Sequence, residues 1–199
     1  MTTARESDQL LVERVQAGDR RAFDLLVAKY QRRLMRVVLR LVHDHAEAED
    51  VVQETFIKAF RSLRHFRGQS AFYSWLYRIG INTAKSYLIR QGRRAPSSTG
   101  VGTEDAEVFD NADDLRDLNT PELALESKQI AYSVNSAVEA LPLQLKTVMI
   151  LREIEGMSYE EIAEVMACPI GTVRSRIFRA REIIAEKLRP MLDLPHAKP

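Results

Sequence analysis

Residues 157–184 read MSYEEIAEVMACPIGTVRSRIFRAREII and predict a helix-turn-helix. Ser158 and Glu161 have the spacing of a capping box, which marks the start of a short helix. Ala167-Cys168-Pro169 ends that helix, and a longer one opens near Ile170. The apolar side chains predicted to face inward are Ile162, Met166, Val173 and Ile177. A short helix, a tight turn and a longer helix are the elements of a helix-turn-helix motif.

The second helix of this motif has an outward face without an acid, made of Arg and hydroxyl side chains and one aromatic ring: Thr172, Arg174, Ser175, Phe178 and Arg179. Arg chelates guanine edges in the major groove, and Ser or Thr bonds bases or phosphates. The N-terminal part of a recognition helix is the part that reaches the bases. The alternative is a helical hairpin with a solvated basic face. The capping box, the small Ala163 and the tight turn together favour DNA binding, and Cys168 is predicted to be a small hydrophobic residue in that turn.

Upstream of this motif, helical sequence alternates with irregular sequence. Residues 23–41 place apolar side chains at spacings of three and four, which is typical of a long amphipathic helix, and Asp19 is its predicted N-cap. Residues 93–120 are rich in acids, Ser, Pro and Gly and predict a flexible acidic linker. The predicted fold class is therefore all-α, with two small helical domains at 1–92 and 121–190, the linker between them and a tail at 191–199.

The first domain carries a second candidate DNA surface, in which aromatic and basic side chains are interleaved: Arg67, Tyr73, Trp75, Tyr77, Arg78, Asn82 and Lys85. Cations follow phosphates and aromatic rings stack on unpaired bases, so this mixture is typical of single-strand binding. Phe72, Trp75 and Leu76 also fit one buried stripe, and a core role is an equal alternative for them. Tyr73 and Tyr77 are predicted to lie on a different side, and the polar loop at 66–70 is suited to hold a base turned out of the stack.

Charge is segregated along the chain, although the formal net charge is only +1. Residues 61–94 hold eight Lys or Arg and no acid, whereas residues 44–54 hold five acids and no Lys or Arg. The basic stretch suits a polyanion and the acidic stretch suits a basic partner. The single cysteine, the lack of zinc-ligand spacing and the polar N-terminus predict a cytoplasmic chain without disulfide, metal, cofactor or membrane insertion. No nucleophile or Gly-rich phosphate loop accompanies the helical carboxylates, so an enzyme is the least favoured class.

Three stretches resemble the extracytoplasmic-function sigma factors of the sigma-70 family, and within them the envelope-stress sigma-E and alginate type: DVVQETFIKAF, FRGQSAFYSWLYRIGINTAKSYL and LREIEGMSYEEIAEVMACPIGTVRSRIFRAREII. The stretches occur in the family's order, and the resemblance runs over residues 8–189. It implies that the first domain is sigma region 2 and that the second is sigma region 4. It also implies that the chain directs RNA polymerase to promoters and has no catalytic residues of its own.

The resemblance further implies roles for individual residues. Asp50, Gln53 and Glu54 would contact core RNA polymerase. The aromatic and basic set of the first domain would capture the −10 element, and the outward face of the recognition helix would read the −35 element. The implied partners are core RNA polymerase, promoter DNA and a membrane-anchored anti-sigma factor that holds the chain inactive in an extracytoplasmic stress response.

Two other classes compete with this interpretation. A conventional helix-turn-helix regulator would use its first half as a sensor and would need no surface for core polymerase. An RNA-binding adaptor would use the aromatic and basic face, but it leaves the helix-turn-helix unexplained. Copurification with core polymerase separates the sigma factor from both.

Overall fold

The computed structural model describes residues 4–94, 130 and 132–192, and these ranges contain helices and turns but no strand. The first unit consists of four helices and one 3₁₀ turn: α1 (Ala4–Gln16), α2 (Arg20–Val42), α3 (His45–Ser62), the turn Leu63–His65, and α4 (Phe72–Arg94). The second unit consists of α5 (Leu143–Met149), a π-helical turn (Ile150–Ile154), α6 (Tyr159–Met166) and α7 (Ile170–Leu192), with residues 132–139 helical before α5. The predicted all-α class is confirmed.

The predicted linker and tail lie almost wholly outside the described residues. Helix α4 continues to Arg94, two residues beyond the boundary predicted at Gly92, and α7 continues to Leu192. In the part of the chain that the structure describes, no helix is long and apolar enough to cross a membrane.

Helix α2 forms the centre of the first unit, because its apolar stripe is buried along its whole length. Its most deeply buried side chains are Leu26, Tyr30, Leu34, Val37, Val38 and Leu41, each at most 3% exposed. Helices α1, α3 and α4 pack on α2. The predicted N-cap is confirmed, since Asp19 accepts a hydrogen bond from the backbone N–H of Arg21. Asp8, only 2% exposed, is satisfied by Lys29 and by the hydroxyl of Tyr30.

The predicted helix-turn-helix is present in the second unit. Ser158 and Glu161 form both bonds of the capping box, at 3.2 and 2.8 Å. Ala167 adopts a left-handed conformation at φ 49° and ends α6 before Pro169. Met166 is partly buried and packs against the core, as predicted, and the preceding Val165 is buried as well. Positions three and four residues after Ile162 both lie near its face of a helix with 3.6 residues per turn.

The two units are in contact with each other. Helix α4 packs against α6, and α2 lies against α5 and the π-helical turn. The second unit therefore covers part of the helix that carries the aromatic and basic residues of the first.

Gly80 allows α4 to approach α2 closely. A Cβ atom at this position would lie 2.8 Å from Cδ1 of the fully buried Leu34. We expect Gly80→Ala to lower the free energy of unfolding of the first unit by about 1–3 kcal/mol, because the core there has no space for the methyl group. Chemical denaturation followed by circular dichroism measures the loss.

Leu34→Val removes the offending atom and should restore part of that stability in a double variant, giving a favourable coupling energy in the mutant cycle. Gly92→Ala is the matched control on the same helix, because a Cβ atom there meets nothing within 4 Å. It should be neutral or stabilising by up to about 1 kcal/mol. Simple additivity of Gly80→Ala and Leu34→Val would contradict the steric explanation.

Candidate nucleic-acid interface

The outward face of α7 is open to solvent. Arg174, Ser175 and Arg179 are exposed, and Phe178 is 70% exposed, which is unusual for a large apolar ring. Thr172 is half-buried at the start of the helix, where its N–H donates to the carbonyl of Pro169 at 2.9 Å. Val173, Ile177 and Ala180 face inward, as the helical period requires. The five predicted residues therefore lie together on one side of the recognition helix.

The four arginines at positions 174–181 of α7 divide into two groups. Arg176 donates to Gln144 at 2.7 Å and Arg181 donates to Glu153 at 2.9 Å, so both brace the helix against the rest of the second unit. Arg174 and Arg179 make no such hydrogen bond to the described residues. They are the guanidinium groups available for a partner outside the chain.

Trp75 belongs to an aromatic cluster beneath the loop at 66–70. Its ring centroid lies 4.9 Å from that of Phe66 and 5.7 Å from that of Phe72. Trp75 and Phe66 are half-buried, whereas Phe72 is buried. The side-chain amide of Gln16 holds the start of the loop by donating to the carbonyls of Leu63 and Phe66, at 3.0 and 2.9 Å. Core packing, one of the two alternatives for Phe72 and Trp75, is therefore present.

The expectation that Tyr73 and Tyr77 form an open face is wrong for this conformation. Tyr77 is 0% exposed and its hydroxyl donates to Glu155 at 2.6 Å, while Tyr73 donates to Glu161. Burial raises the pKa of Tyr77, and the hydrogen bond and charge of Glu155 raise it further, so the phenol stays protonated and acts as a donor. The second unit is the physical reason for the difference, since it supplies both carboxylates.

The remaining predicted residues of the first domain are unequally accessible. Arg67 and Asn82 are exposed, and Arg78 is half-buried. Lys85 is also half-buried, and burial, followed by repulsion from Arg176 across the contact between the units, lowers its pKa. The structure thus brings together Tyr73, Tyr77 and Lys85 under the second unit and leaves Arg67 and Asn82 outside it.

Glu155 is the functional residue that the sequence prediction missed. Its side chain is 0% exposed and accepts from Nη2 of Arg33 at 3.0 Å and from Nη2 of Arg36 at 3.4 Å, in addition to the hydroxyl of Tyr77. Burial lowers the pKa of Arg33, but its electrostatic interactions with Tyr77 and Glu155 and its hydrogen bond to Glu155 outweigh that effect, and the net shift is upward. The sequence signal at this position is the pair Glu155-Gly156, which indicates only the end of a helix.

A second ionic group joins the units at another point. His43, which ends α2 at φ 68°, lies 2.9 Å from Glu139 and 2.8 Å from the ammonium nitrogen of Lys146. Lys146 is only 4% exposed and also pairs with Glu139. No spacing rule connects these residues in the sequence.

The three predicted polymerase-contact residues lie on α3. Asp50 and Gln53 are exposed, whereas Glu54 is half-buried and pairs with Lys58 at 2.8 Å and Arg90 at 3.7 Å. The hydrogen bond from Lys58 is the main reason that the pKa of Glu54 is lowered. The same helix exposes two large apolar side chains, Ile57 at 50% and Phe60 at 42%. Among the described residues, no group of three His, Cys, Asp or Glu could hold a metal ion.

Comparisons with known proteins agree with this arrangement of two units. The family descriptions "Sigma-70 region 2" and "Sigma-70, region 4" match residues 26–94 and 133–184. The RNA polymerase sigma-H factor of Pseudomonas aeruginosa is 57% identical over 187 residues, covering 94% of this chain and 96% of that protein. The ECF RNA polymerase sigma-E factor of Escherichia coli K12 is 52% identical over 186 residues, covering 94% and 96%.

Two solved structures share the fold. CnrH in complex with the cytosolic domain of CnrY has a TM-score of 0.65 and 26% identity, covering 92% of this chain and 98% of that one. The sigma factor RpoE of Bartonella quintana, in complex with the anti-sigma factor NepR, has a TM-score of 0.60 and 25% identity, covering 84% and 96%.

Trp75 should be more important for stability than its partial exposure indicates. We expect Trp75→Ala to destabilise the first unit by about half of the 3–5 kcal/mol that a fully buried Trp costs, because Phe66 and Phe72 lose their common neighbour. Trp75→Phe keeps most of these contacts and serves as the matched variant. Thermal unfolding followed by circular dichroism checks both. An unchanged transition for Trp75→Ala would show that the ring is not part of the core.

Proposed function

Because the chain belongs to the sigma-70 family, as an RNA polymerase sigma factor of the extracytoplasmic-function type, we propose that its two units divide promoter recognition between them. The second unit reads the −35 element as duplex DNA, and the first captures the −10 element as an unpaired strand. The observation that carries the proposal is the pair of region matches, one in each unit, on a chain with relatives over 94% of its length. A conventional regulator would not have a sigma region 2.

The geometry of α7 supports reading of the −35 element. Arg174 and Arg179 have no acceptor among the described residues, and they flank the exposed ring of Phe178. Arg bonds the edge of guanine, and an apolar side chain contacts the methyl group of thymine. The half-buried Thr172 and the exposed Ser175 complete this face at the end of the helix that enters the groove.

Reading of the −10 element requires the units to separate. The centres of the two elements are about 25 base pairs apart, which is about 85 Å at 3.4 Å per base pair. Two units in direct contact cannot occupy both elements at once. Residues 95–129 provide 35 residues of chain, enough to span at most about 120 Å when fully extended. Separation would also expose Tyr73, Tyr77 and Lys85 for the −10 strand.

Core RNA polymerase is the partner that would hold the units apart. Asp50 and Gln53 offer a charged and polar contact on α3, and the adjacent Ile57 and Phe60 offer the apolar area that stable protein interfaces contain. Melting would then be driven by preferential binding of the open strand. The chain itself catalyses nothing in this scheme and works in the cytoplasm with the polymerase.

An anti-sigma factor is the proposed inhibitor. One similar solved structure is a sigma factor in complex with the anti-sigma factor NepR, and another is a complex with the cytosolic domain of CnrY. We infer that this chain likewise serves a response to envelope or extracytoplasmic stress. We propose that the inhibitor of this chain is membrane-anchored, so that a signal outside the cytoplasm controls release.

Transcription in vitro tests the proposed function directly. Purified chain and core polymerase are incubated with a library of promoter templates, and the transcript starts are sequenced. We expect a defined pair of −10 and −35 sequences to be selected. Failure to bind core polymerase or to alter the start sites would overturn the proposal.

The recognition helix gives a selective prediction. Arg174→Ala or Arg179→Ala should cost about 1–3 kcal/mol of promoter binding and relax specificity at one −35 position. Arg189→Ala, near the exposed end of the same helix, is the matched control and should leave promoter choice unchanged. Runoff transcription on promoters with single −35 substitutions measures the effect. Unaltered discrimination by both variants would remove these residues from the interface.

The docking surface gives a separate prediction. Asp50→Arg should weaken the affinity for core polymerase roughly tenfold or more, because a like charge placed against a basic partner costs several kcal/mol. Asp24→Arg, an exposed acid on α2, is the charge-matched control. Competition for core polymerase against the unmodified chain measures the change. Equal competition by both variants would place the docking surface elsewhere.

A further inference from the structure

Glu155 marks an anion-binding site on the first unit. Three donors from that unit converge on its carboxylate: Arg33 at 3.0 Å, Arg36 at 3.4 Å and the hydroxyl of Tyr77 at 2.6 Å. The side chain of Glu155 is 0% exposed, whereas those of Arg33 and Arg36 are 43% and 59% exposed. Three donors of the first unit are therefore directed at one negative charge, which the carboxylate of Glu155 supplies.

The site exists without the second unit, because all three donors belong to α2 and α4. Among the described residues, neither arginine donates a hydrogen bond to any acceptor other than Glu155. When the second unit moves away, as the promoter spacing requires, two guanidinium charges and a phenol lose their common acceptor. The side chains of Arg33 and Arg36 are already about half exposed to water. An anion from outside the chain can therefore reach them.

We propose that Arg33, Arg36 and the hydroxyl of Tyr77 bind one backbone phosphate of the unpaired promoter strand, and that Glu155 occupies this phosphate site in the closed chain. The inference rests on the proposed capture of the −10 strand by α4. Guanidinium groups match the geometry of phosphate oxygens, and Tyr hydroxyls are frequent phosphate donors.

The position of the site favours a nucleic-acid phosphate over an acidic side chain of another protein. Tyr77 is on the helix that also carries Tyr73, Asn82 and Lys85, so a strand that follows α4 passes the site. Two arginines and one carboxylate together have a net charge of +1. A phosphodiester carries the same single negative charge as Glu155, so it would balance the two arginines equally well. Glu155 and DNA therefore compete for the same donors, and closure of the chain and capture of the strand exclude each other.

The first experiment measures binding of a fluorescein-labelled single strand carrying the −10 sequence selected in the transcription experiment. Fluorescence anisotropy with the full chain is recorded from low to high salt. Glu155→Gln should raise affinity by roughly 5- to 150-fold, the usual range of coupling between two sites. Glu164→Gln, an exposed acid on α6, is the matched control and should have no effect.

The arginines are tested in the Glu155→Gln chain. Replacing Arg33 and Arg36 by Gln should weaken binding and reduce the slope of log affinity against log salt by about 0.7, the value for one phosphate contact on a single strand. Arg32→Gln, an exposed neighbour on α2, is the control. Arg33→Lys with Arg36→Lys keeps both charges and should keep the slope, even if it loses part of the affinity. Thermal unfolding of each variant checks that the first unit is folded.

A phosphate-by-phosphate replacement with neutral methylphosphonate locates the contact. In the Glu155→Gln chain, one position should weaken binding when it is neutralised, and the same replacement should have no further effect after Arg33 and Arg36 are changed to Gln. Additive effects at every position would overturn the phosphate site. If the changes at Arg33 and Arg36 weaken binding to core polymerase and leave oligonucleotide binding unchanged, the arginines contact an acidic protein surface. That result would also overturn the phosphate site.

The two proposals fail in different ways. If Glu155→Gln binds the −10 strand with the expected selectivity but the arginine changes do not affect it, the phosphate site is wrong and the proposed function stands. If neither the free variants nor the complex with core polymerase selects a −10 strand, the proposed function is wrong and the inference is wrong with it.

Discussion

The pairing of the Glu155 carboxylate with Arg33 and Arg36 is the interaction on which the closed arrangement depends. A carboxylate without solvent access is strongly destabilising unless cations and donors satisfy it, and breaking such a pair leaves an uncompensated buried charge. In its buried position, Glu155 is satisfied by donors of α2 and α4. An ionic contact of this kind specifies geometry more strictly than an apolar contact does, and it can be exchanged for another anion without unfolding either unit.

Local pattern was sufficient to predict most of the fold. The stripe on α2, the N-cap Asp19 and the capping box of Ser158 and Glu161 are short-range features, and each is where the sequence placed it. Met166 packs against the core as predicted, and Val165 does so too, because helix periodicity permits either of two adjacent residues to face the core. Val165 is the more deeply buried of the two.

The contact between the units could not be predicted in the same way. Tyr77 and Glu155 are 78 positions apart, and Arg36 and Glu155 are 119 apart. The local sequence pattern around Tyr77 or Arg36 therefore does not predict a contact with Glu155. The four arginines at positions 174–181 of α7 also look equivalent in the sequence, and only the positions of Gln144 and Glu153 separate the two that brace the helix from the two that are open.

The π-helical turn before Glu155 determines the direction in which its carboxylate points. In this turn the N–H of Glu155 reaches back five residues to the carbonyl of Ile150, so the turn contains one residue more than an α-helical turn would. Each residue of an α-helix advances the chain by about 100° around the axis. Deletion of a single codon within the turn would therefore rotate the acid away from the arginines while leaving the recognition helix intact. Evolution could in this way remove one of the contacts that hold the units together in one step, without changing any residue on the outward face of α7.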